Sequence, residues 1–115
     1  MKHEKDNQLL RSLIGDLLKT EKPLWIKVAY ELSKPRRKRI EVNLSKIDAF
    51  ANDDETILVP GKVLGSGNVS KKVTVAAFSF SESAKQLISM AGGKAMTIES
   101  LRKTNPEGKG VTIIK

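Results

Sequence analysis

The segment Val73–Phe80 constrains the fold more than any other part of the sequence, because it is apolar on both sides of an extended chain. Successive side chains of a strand point to opposite faces of the sheet. The odd-numbered residues from Val73 to Ala77 would therefore share one face, and Ala76 and the two phenylalanines would share the other. A strand of this kind lies in a sheet that is covered on both faces.

From residue 40 onward, segments typical of strands alternate with segments typical of helices. Ser45, Ser81 and Thr97 can each cap the first turn of a helix, and the pair Gly92 and Gly93 is typical of a helix end. This alternation predicts a mixed α/β fold. We expect strands at residues 40–44, 56–60, 73–80, 94–96 and 111–114, helices beginning near residues 45, 81 and 97, and a tight turn at residues 105–108.

The first 33 residues carry two apolar stripes at helical spacing. The first stripe predicts a helix from about Lys5 to Lys19, with Asp6 or Asn7 as its N-cap. The second predicts a helix that begins at Pro23, a residue favoured at the first helical position. Together they predict an N-terminal αα-hairpin.

The second helix has an apolar side and a polar side. Leu24, Trp25 and Leu32 lie on the apolar side, and we expect Lys27 and Glu31 on the polar side. A lone Trp within an apolar helical stripe is typical of a packing residue, so we assign Trp25 to the core.

Length and composition limit what the chain can be. At 115 residues we expect a single domain, 1–115, made of a helical hairpin (1–33), a basic loop (34–39) and an α/β core (40–115). The absence of Cys and the single His, His3, exclude a disulfide, a thiolate nucleophile, a His-based triad and a multi-His metal site from this chain. No membrane span or secretory signal is recognisable, so we expect a soluble, cytoplasmic chain.

A formal net charge of +8 and a pI near 9.8 favour a polyanionic partner. Residues 34–46 hold six cationic side chains against one acid, and three of the five Arg residues occur there. Pro35 stiffens this loop, and Arg suits the two-pronged contact with a phosphate. The five cations at its start are Lys34, Arg36, Arg37, Lys38 and Arg39.

A glycine-rich stretch, residues 61–67, follows Pro60 and is expected to be a loop. It does not match a phosphate-binding P-loop, which would need Gly where Thr56 stands and Ser or Thr where Val63 stands. It also lacks the last Gly of the dinucleotide fingerprint. With Lys62, Lys71 and Lys72 beside it, the stretch suits a closely packed sugar-phosphate surface.

The acidic cluster Asp53, Asp54 and Glu55 leaves a catalytic alternative open. Three carboxylates could hold Mg²⁺ for phosphoryl chemistry, although adjacent carboxylates in a surface turn seldom converge on one ion. The acidic cluster thus leaves open a metal-dependent RNA-processing enzyme. The basic charge alone would also fit either a structural RNA-binding protein or a free RNA-binding regulator.

Five separated motifs stand in order along the chain: KPRR at 34–37, VNL at 42–44, VPGKVLGSG at 59–67, VTVA at 73–76 and NPEG at 105–108. On these motifs the sequence resembles the large-subunit ribosomal protein L eighteen e family, which is related to bacterial ribosomal protein L fifteen. The resemblance implies an irregular β-β-α superhelix after the N-terminal αα-hairpin. Because eukaryotic members extend further at the C-terminus, it also implies an archaeal member.

The resemblance implies a structural protein of the ribosome, in the cytoplasm, without catalysis, cofactor or metal. Its expected partners are large-subunit (23S-type) rRNA and neighbouring ribosomal proteins, with no membrane, no DNA and no homo-oligomer. Shape and charge would select the RNA site, because the chain has only 4% aromatic residues for stacking on bases. The residues expected to contact rRNA are Lys34, Arg36, Arg37, Lys38, Arg39, Asn43, Lys62, Gly65, Ser66, Gly67, Lys71, Lys72, Asn105 and Lys109.

Overall fold

A computed structural model describes residues 2–35 and 40–115 of the chain. The chain divides into two compact units, Met1–Arg39 and Ile40–Lys115. Within the described residues, the first unit holds two helices and the second holds three helices and a five-stranded sheet. The predicted mixed α/β class is confirmed. Of the helices described, none is both long and apolar enough to cross a bilayer.

In the first unit, helix α1 spans Lys2–Lys19 and helix α2 spans Pro23–Leu32. Pro23 begins α2 as predicted, but the predicted cap of α1 is wrong. The helix begins at Lys2, so Asp6 and Asn7 lie within it. Lys and Glu are good helix formers, and they extend the helix through the charged N-terminal residues. The two helices contact each other, and their buried apolar residues are Leu10, Leu13, Leu17, Trp25, Val28, Ala29 and Leu32.

In the second unit, each helix follows a strand with at most one residue between them. The elements in chain order are β1 (Ile40–Asn43), α3 (Leu44–Phe50), β2 (Thr56–Leu64), β3 (Thr74–Phe80), α4 (Glu82–Met90), β4 (Lys94–Thr97), α5 (Ile98–Thr104) and β5 (Val111–Ile113).

All strand pairings of the sheet are parallel. β2 pairs with β3 along one edge, and β4 pairs with the far edge of β3. On the other edge of β2, β5 pairs with Thr56–Leu58 and β1 pairs with Gly61–Leu64. The two short strands β5 and β1 therefore follow one another along the same edge.

β3 is covered on both faces, as its sequence predicts. The consecutive residues Val75, Ala76 and Ala77 are all fully buried, and consecutive strand residues point to opposite faces. α5 lies against β3 and β4. The main apolar cluster is formed by residues of the sheet together with residues of α3 and α4, namely Val42, Leu44, Ile47, Ala51, Ile57, Val59, Val63, Val73, Val75, Ala77, Ala84, Ile88 and Ile114.

Two of the three helix caps predicted for the second unit are confirmed. The side chains of Ser81 and Thr97 each accept a hydrogen bond from the backbone N–H three residues later, at 3.2 and 3.0 Å. Ser45 is not a cap, because α3 begins one residue earlier, at Leu44, directly after β1. Asn43 holds the cap position, and its side chain makes no capping hydrogen bond.

The two glycines predicted to end α4 do so. Gly92 has φ +83°, the left-handed conformation that favours glycine. Its N–H donates to the carbonyl of Ser89 at 3.0 Å, and the N–H of Gly93 donates to that of Ile88 at 2.9 Å. This pair of bonds is the Schellman arrangement, which satisfies carbonyls at the end of a helix.

β2 extends four residues past the predicted strand end, so the prediction that residues 61–64 form a loop is wrong. The register with β3 shifts across Pro60 and Gly61, and such an irregularity allows a sheet to contain a proline, which has no N–H to donate. A Cβ on Gly61 would stand 2.1 Å from the carbonyl oxygen of Ile40. Glycine is therefore needed there for β1 to pair.

The connection from β2 to β3, residues 65–73, contains no helix and is called the crossover loop below. Adjacent parallel strands are normally joined by a longer connection that contains a helix. Nine extended residues can span about 30 Å, which is enough to return along β3. The crossover loop therefore returns to the start of β3 without a helix, with bends at Gly67 and Lys71, and it runs beside α3.

Candidate nucleic-acid interface

Apart from Lys62, which lies within β2, the sequence-predicted contact residues of the second unit lie at two opposite ends of the sheet. Because the strands are parallel, Asn43 and residues 65–67 lie at the carboxyl end, where β1 and β2 finish. Lys71 and Lys72 precede β3, and residues 105–109 precede β5, so they lie at the amino end. At ~3.3 Å per residue, the seven residues of β3 put about 20 Å between the two ends. The structure does not bring these residues into one site.

At the carboxyl end, the glycines of the crossover loop serve close packing. A Cβ on Gly65 would stand 2.0 Å from the Ser83 hydroxyl oxygen, and one on Gly67 would stand 2.6 Å from the Cβ of Ser45. The backbone N–H of Ser45 donates to the carbonyl of Ser66 at 3.2 Å. The loop is thus held against the first turns of α3 and α4, with Ser66 and Gly67 exposed.

The side chain of Lys71 forms hydrogen bonds within the protein. Its ammonium nitrogen donates to the carbonyl oxygens of Asp48 and Ala51, at 2.6 and 2.7 Å. A cation at the end of a helix is favourable, because the last carbonyls of the helix carry partial negative charge. Two of the three N–H donors of the Lys71 ammonium are occupied by these carbonyls, which leaves one donor for another partner. Sequence reasoning missed this role, since the partners lie 20 and 23 residues away in the chain.

Asp48 fixes the same loop from the other side. The backbone N–H and the hydroxyl of Ser70 both donate to its carboxylate, at 2.9 and 3.0 Å. These bonds, with the charge of Lys71, lower the pKa of Asp48 below its ordinary value; the N–H of Ser70 is the largest cause, and desolvation opposes it. The loop is therefore attached to α3 at successive points along its length.

Lys72 is an exposed cation at the amino end. Its backbone N–H donates to a carboxylate oxygen of Asp53 at 3.2 Å, and its carbonyl accepts from the N–H of Asp54 at 2.6 Å. Its ammonium lies 3.9 Å from the Asp54 carboxylate, and both side chains are well exposed. An exposed ion pair of this kind contributes about 0–1 kcal/mol, so Lys72 can exchange Asp54 for a phosphate at little cost.

The acidic cluster has partners of its own. The Asp53 carboxylate accepts a hydrogen bond from the backbone N–H of Lys72, and the Asp54 carboxylate pairs with the Lys72 ammonium. A carboxylate oxygen of Glu55 accepts from the side-chain amide of Asn52 at 3.3 Å. Within residues 2–35 and 40–115, no group of three or more His, Cys, Asp or Glu residues is arranged to hold a metal ion. The described geometry therefore gives no support to the catalytic alternative.

The last predicted turn is closed by its own side chain. The amide nitrogen of Asn105 donates to the carbonyl of Lys109 at 3.0 Å, and its amide oxygen accepts from the Lys109 N–H at 3.3 Å. Asn105 thus shapes the turn, while the side chain of Lys109 stays exposed.

Lys62 lies on β2 rather than in a loop. It is exposed, and its register partners are Glu41 on β1 and Ser79 on β3. A carboxylate directly across from a lysine on the same face of a sheet can interact with it favourably. Lys62 therefore presents its charge from the face of the sheet, between the two ends.

In the first unit, Lys34 has a buried partner. Its ammonium lies 3.1 Å from a carboxylate oxygen of Glu31, which is only 3% exposed. The expectation that Glu31 lies on the polar side of α2 is wrong. Glu31 follows Leu24 by seven residues, which is almost two full helical turns and returns it to the apolar side. That spacing was the available signal, and a buried carboxylate requires a charged partner. The remaining basic-loop residues, Arg36, Arg37, Lys38 and Arg39, lie outside the described residues.

Taken together, the parallel α/β sheet, the exposed lysines Lys62, Lys72 and Lys109 and the net charge of +8 define a basic protein whose charge suits a polyanion. Residues 7–115 match the sequence model of the family described as "Ribosomal protein 60S L18 and 50S L18e". The chain belongs to this family.

Curated relatives are similar to the chain over nearly its whole length. The relative from Methanococcus maripaludis, named "Large ribosomal subunit protein eL18", is 49% identical over 96% of this chain and 92% of its own. Relatives of the same name from Archaeoglobus fulgidus and Sulfolobus acidocaldarius are 51% and 45% identical over 92% and 95% of this chain, and over 91% and 94% of their own lengths. All three organisms are archaea, so the resemblance inferred from the five motifs is confirmed.

Proposed function

We propose that the chain is a structural constituent of the archaeal large ribosomal subunit and that it binds large-subunit rRNA. The observation that carries this proposal is the match over residues 7–115 to a family of large-subunit proteins. The net charge of +8 supports it, because neutralising phosphates supplies much of the affinity of proteins for nucleic acids.

The proposed interface divides by chemistry into two kinds of residue. The basic residues Arg36, Arg37, Lys38, Arg39, Lys62, Lys72 and Lys109 contact phosphates. Asn43, Gly65, Ser66 and Gly67 contribute a closely packed surface that sugar and phosphate can approach. Contacts of both kinds fix position and carry little sequence information.

Three predicted residues contribute chiefly by holding the interface in shape. Lys71 attaches the crossover loop to α3, and Asn105 closes the turn that carries Lys109. Lys34, the first residue of the basic loop, pairs with buried Glu31. A rigid surface loses less conformational entropy when it binds, which favours affinity.

The same proposal includes the domain organisation, the partners and the location of the chain. We infer one functional domain over residues 1–115, with an αα-hairpin followed by an irregular β-β-α superhelix. Its partners are 23S-type rRNA and neighbouring ribosomal proteins, without cofactor, membrane, DNA or self-association. Its place is the ribosome in the cytoplasm.

Sedimentation combined with crosslinking tests the proposal. Lysate from cells that make the full chain is separated on a sucrose gradient in moderate salt, after ultraviolet crosslinking of protein to RNA. We expect the chain in the large-subunit peak and crosslinked to large-subunit rRNA, with the small-subunit peak as the control.

The two alternatives give different results in the same samples. A free regulator would stay at the top of the gradient with its own RNA, and this would contradict the proposal. An RNA-processing enzyme would show metal-dependent turnover of RNA that Asp54→Ala abolishes.

A further inference from the structure

Helix α2 has an exposed apolar face in addition to its buried one. Ile26 and Tyr30 are 41% and 64% exposed. Residues four apart lie on the same side of a helix, so the aliphatic side chain and the aromatic ring are neighbours. The buried side of the helix, which includes Trp25 and Val28, already provides its packing. Packing of α2 therefore does not explain why an aromatic ring stands at position 30.

Two lysines flank Tyr30 along the chain, Lys27 three residues before it and Lys34 four residues after it. The ammonium nitrogen of Lys34 lies 5.4 Å from the centroid of the Tyr30 ring, within cation–π range. Glu31 binds the same ammonium at 3.1 Å and so holds it in place. Lys27, three residues before Tyr30, is exposed, whereas Glu31, the one acid of α2, is buried.

We propose that this face of α2 binds one nucleotide of RNA, with an unpaired base stacked on the ring of Tyr30 and its phosphate near Lys27. The inference rests on the proposed function and adds to it a contact with a base. A nucleotide joins a flat π-face to a negative charge, which matches an exposed ring with the exposed Lys27 three residues away. A protein partner would have to supply an acidic surface of its own.

The position of Tyr30 in the chain agrees with this assignment. Lys34 follows it by one helical turn, and the sequence continues from Pro35 into the four cations of residues 36–39. The ring therefore stands six residues before Arg36, the first of these four cations, along the chain. The scarcity of aromatic residues, 4% of the chain, limits this mode of contact to a few bases.

The test measures the affinity of the full chain for a large-subunit rRNA transcript. Tyr30→Phe keeps the ring, and Tyr30→Leu keeps apolar bulk but removes the π-face. Phe50→Leu is the matched control, because Phe50 is 69% exposed on the second unit. We expect Tyr30→Phe to bind within about twofold of the unsubstituted chain and Tyr30→Leu to bind about tenfold more weakly, with Phe50→Leu unchanged.

The salt dependence gives a second readout. Tyr30→Leu removes no charge, so the slope of log K against log salt should stay the same while the affinity falls at every salt concentration. Circular dichroism and the melting temperature establish that each variant is folded. Loss of the ring from a merely structural position would lower the melting temperature instead of the affinity.

The outcomes separate the inference from the proposed function. If the unsubstituted chain binds the transcript and Tyr30→Leu binds equally well, the inference alone is overturned. It is also overturned if Tyr30→Leu binds RNA normally but is depleted from large subunits in cells, because the face then contacts a protein. If the unsubstituted chain does not bind rRNA at all, the proposed function is overturned, and the inference that rests on it is overturned as well.

Discussion

Ser70 donates both its backbone N–H and its hydroxyl to the carboxylate of Asp48, which precedes it by 22 residues. These two bonds join the middle of the crossover loop to α3, where other proteins with adjacent parallel strands would place a helix. Both bonds need an ionised carboxylate to be at full strength. The attachment of the loop is therefore sensitive to acid.

We expect Asp48→Asn to lower the free energy of unfolding, and to lower it less as the pH falls. The folded-state pKa of Asp48 is below its ordinary value of 3.8, so the ionised carboxylate contributes its full stabilisation above that value. The contribution is lost as the pH falls from 3.8 through the lower folded-state pKa. Urea unfolding of both proteins between pH 7 and about pH 2.5 measures the difference.

Ser70→Ala is the matched variant for this experiment. It removes the hydroxyl donor and keeps the backbone N–H, the largest cause of the lowered pKa. We expect a smaller loss of stability than in Asp48→Asn, with most of the pH dependence retained. A stability difference between Asp48→Asn and the unsubstituted protein that stays constant over the whole pH range would refute this account of the loop.

The adjacent lysines Lys71 and Lys72 should respond to substitution in opposite ways. Lys71→Met leaves the carbonyls of Asp48 and Ala51 without their charged donor, and we expect a loss of about 1–3 kcal/mol in the free energy of unfolding. Lys72→Met removes only an exposed ion pair, with an expected cost of about 0–1 kcal/mol. We expect Lys72→Met to weaken binding to rRNA.

Denaturant unfolding and RNA affinity are measured on both variants. If the two substitutions lower the free energy of unfolding by the same amount, the hydrogen bonds of Lys71 do not hold the loop. If Lys72→Met leaves the affinity unchanged, the amino end of the sheet is not part of the interface.

Three glycines form a series that separates steric contact from backbone strain. Gly67→Ala should destabilise the protein most, because Gly67 combines φ +87° with a Cβ position 2.6 Å from Ser45. At Gly110, φ is +71° but no atom lies within 4 Å, so Ala there should cost about 1–2 kcal/mol from strain alone. Gly15→Ala, within α1 and with open space around it, should stabilise by about 0.4–1 kcal/mol.

Melting temperatures of the three variants check the order. If Gly67→Ala costs no more than Gly110→Ala, the crossover loop is not packed tightly against α3. If Gly15→Ala destabilises, the side of α1 at Gly15 is not open.

Most elements of the fold could be predicted from the sequence because their signals are local. Ser81 and Thr97 cap helices through bonds to residues three positions away, and Gly92 ends α4 through its own backbone conformation. β2 could not be predicted in full. It continues through Pro60 and Gly61 because β1 pairs with it there, and that pairing joins segments about 20 residues apart.

The candidate site was predictable in composition but not in geometry. The sequence identifies Lys71 and Lys72 as cations beside a glycine-rich stretch, yet nothing local indicates that Lys71 bonds to the end of α3. The parallel pairing of the strands, which sequence pattern does not specify, puts Lys72 and Lys109 at the opposite end of the sheet from Gly67. The predicted contact residues at the ends of the sheet therefore form two separate groups instead of one surface.

The salt dependence of RNA binding measures the contribution of the basic loop. If about six phosphates are neutralised, log K should fall with log salt with a slope of about −4 to −5. Replacing Arg36 and Arg37 together by Ala should flatten the slope by about two units, because two phosphate contacts are lost, and should leave the free energy of unfolding unchanged. Lys85→Ala, which removes an exposed cation from α4, is the control, and its slope should match that of the unsubstituted protein. If the doubly substituted chain keeps the full slope while binding rRNA, the phosphates are held elsewhere, and the exposed residues Lys62, Lys72 and Lys109 become the next positions to substitute.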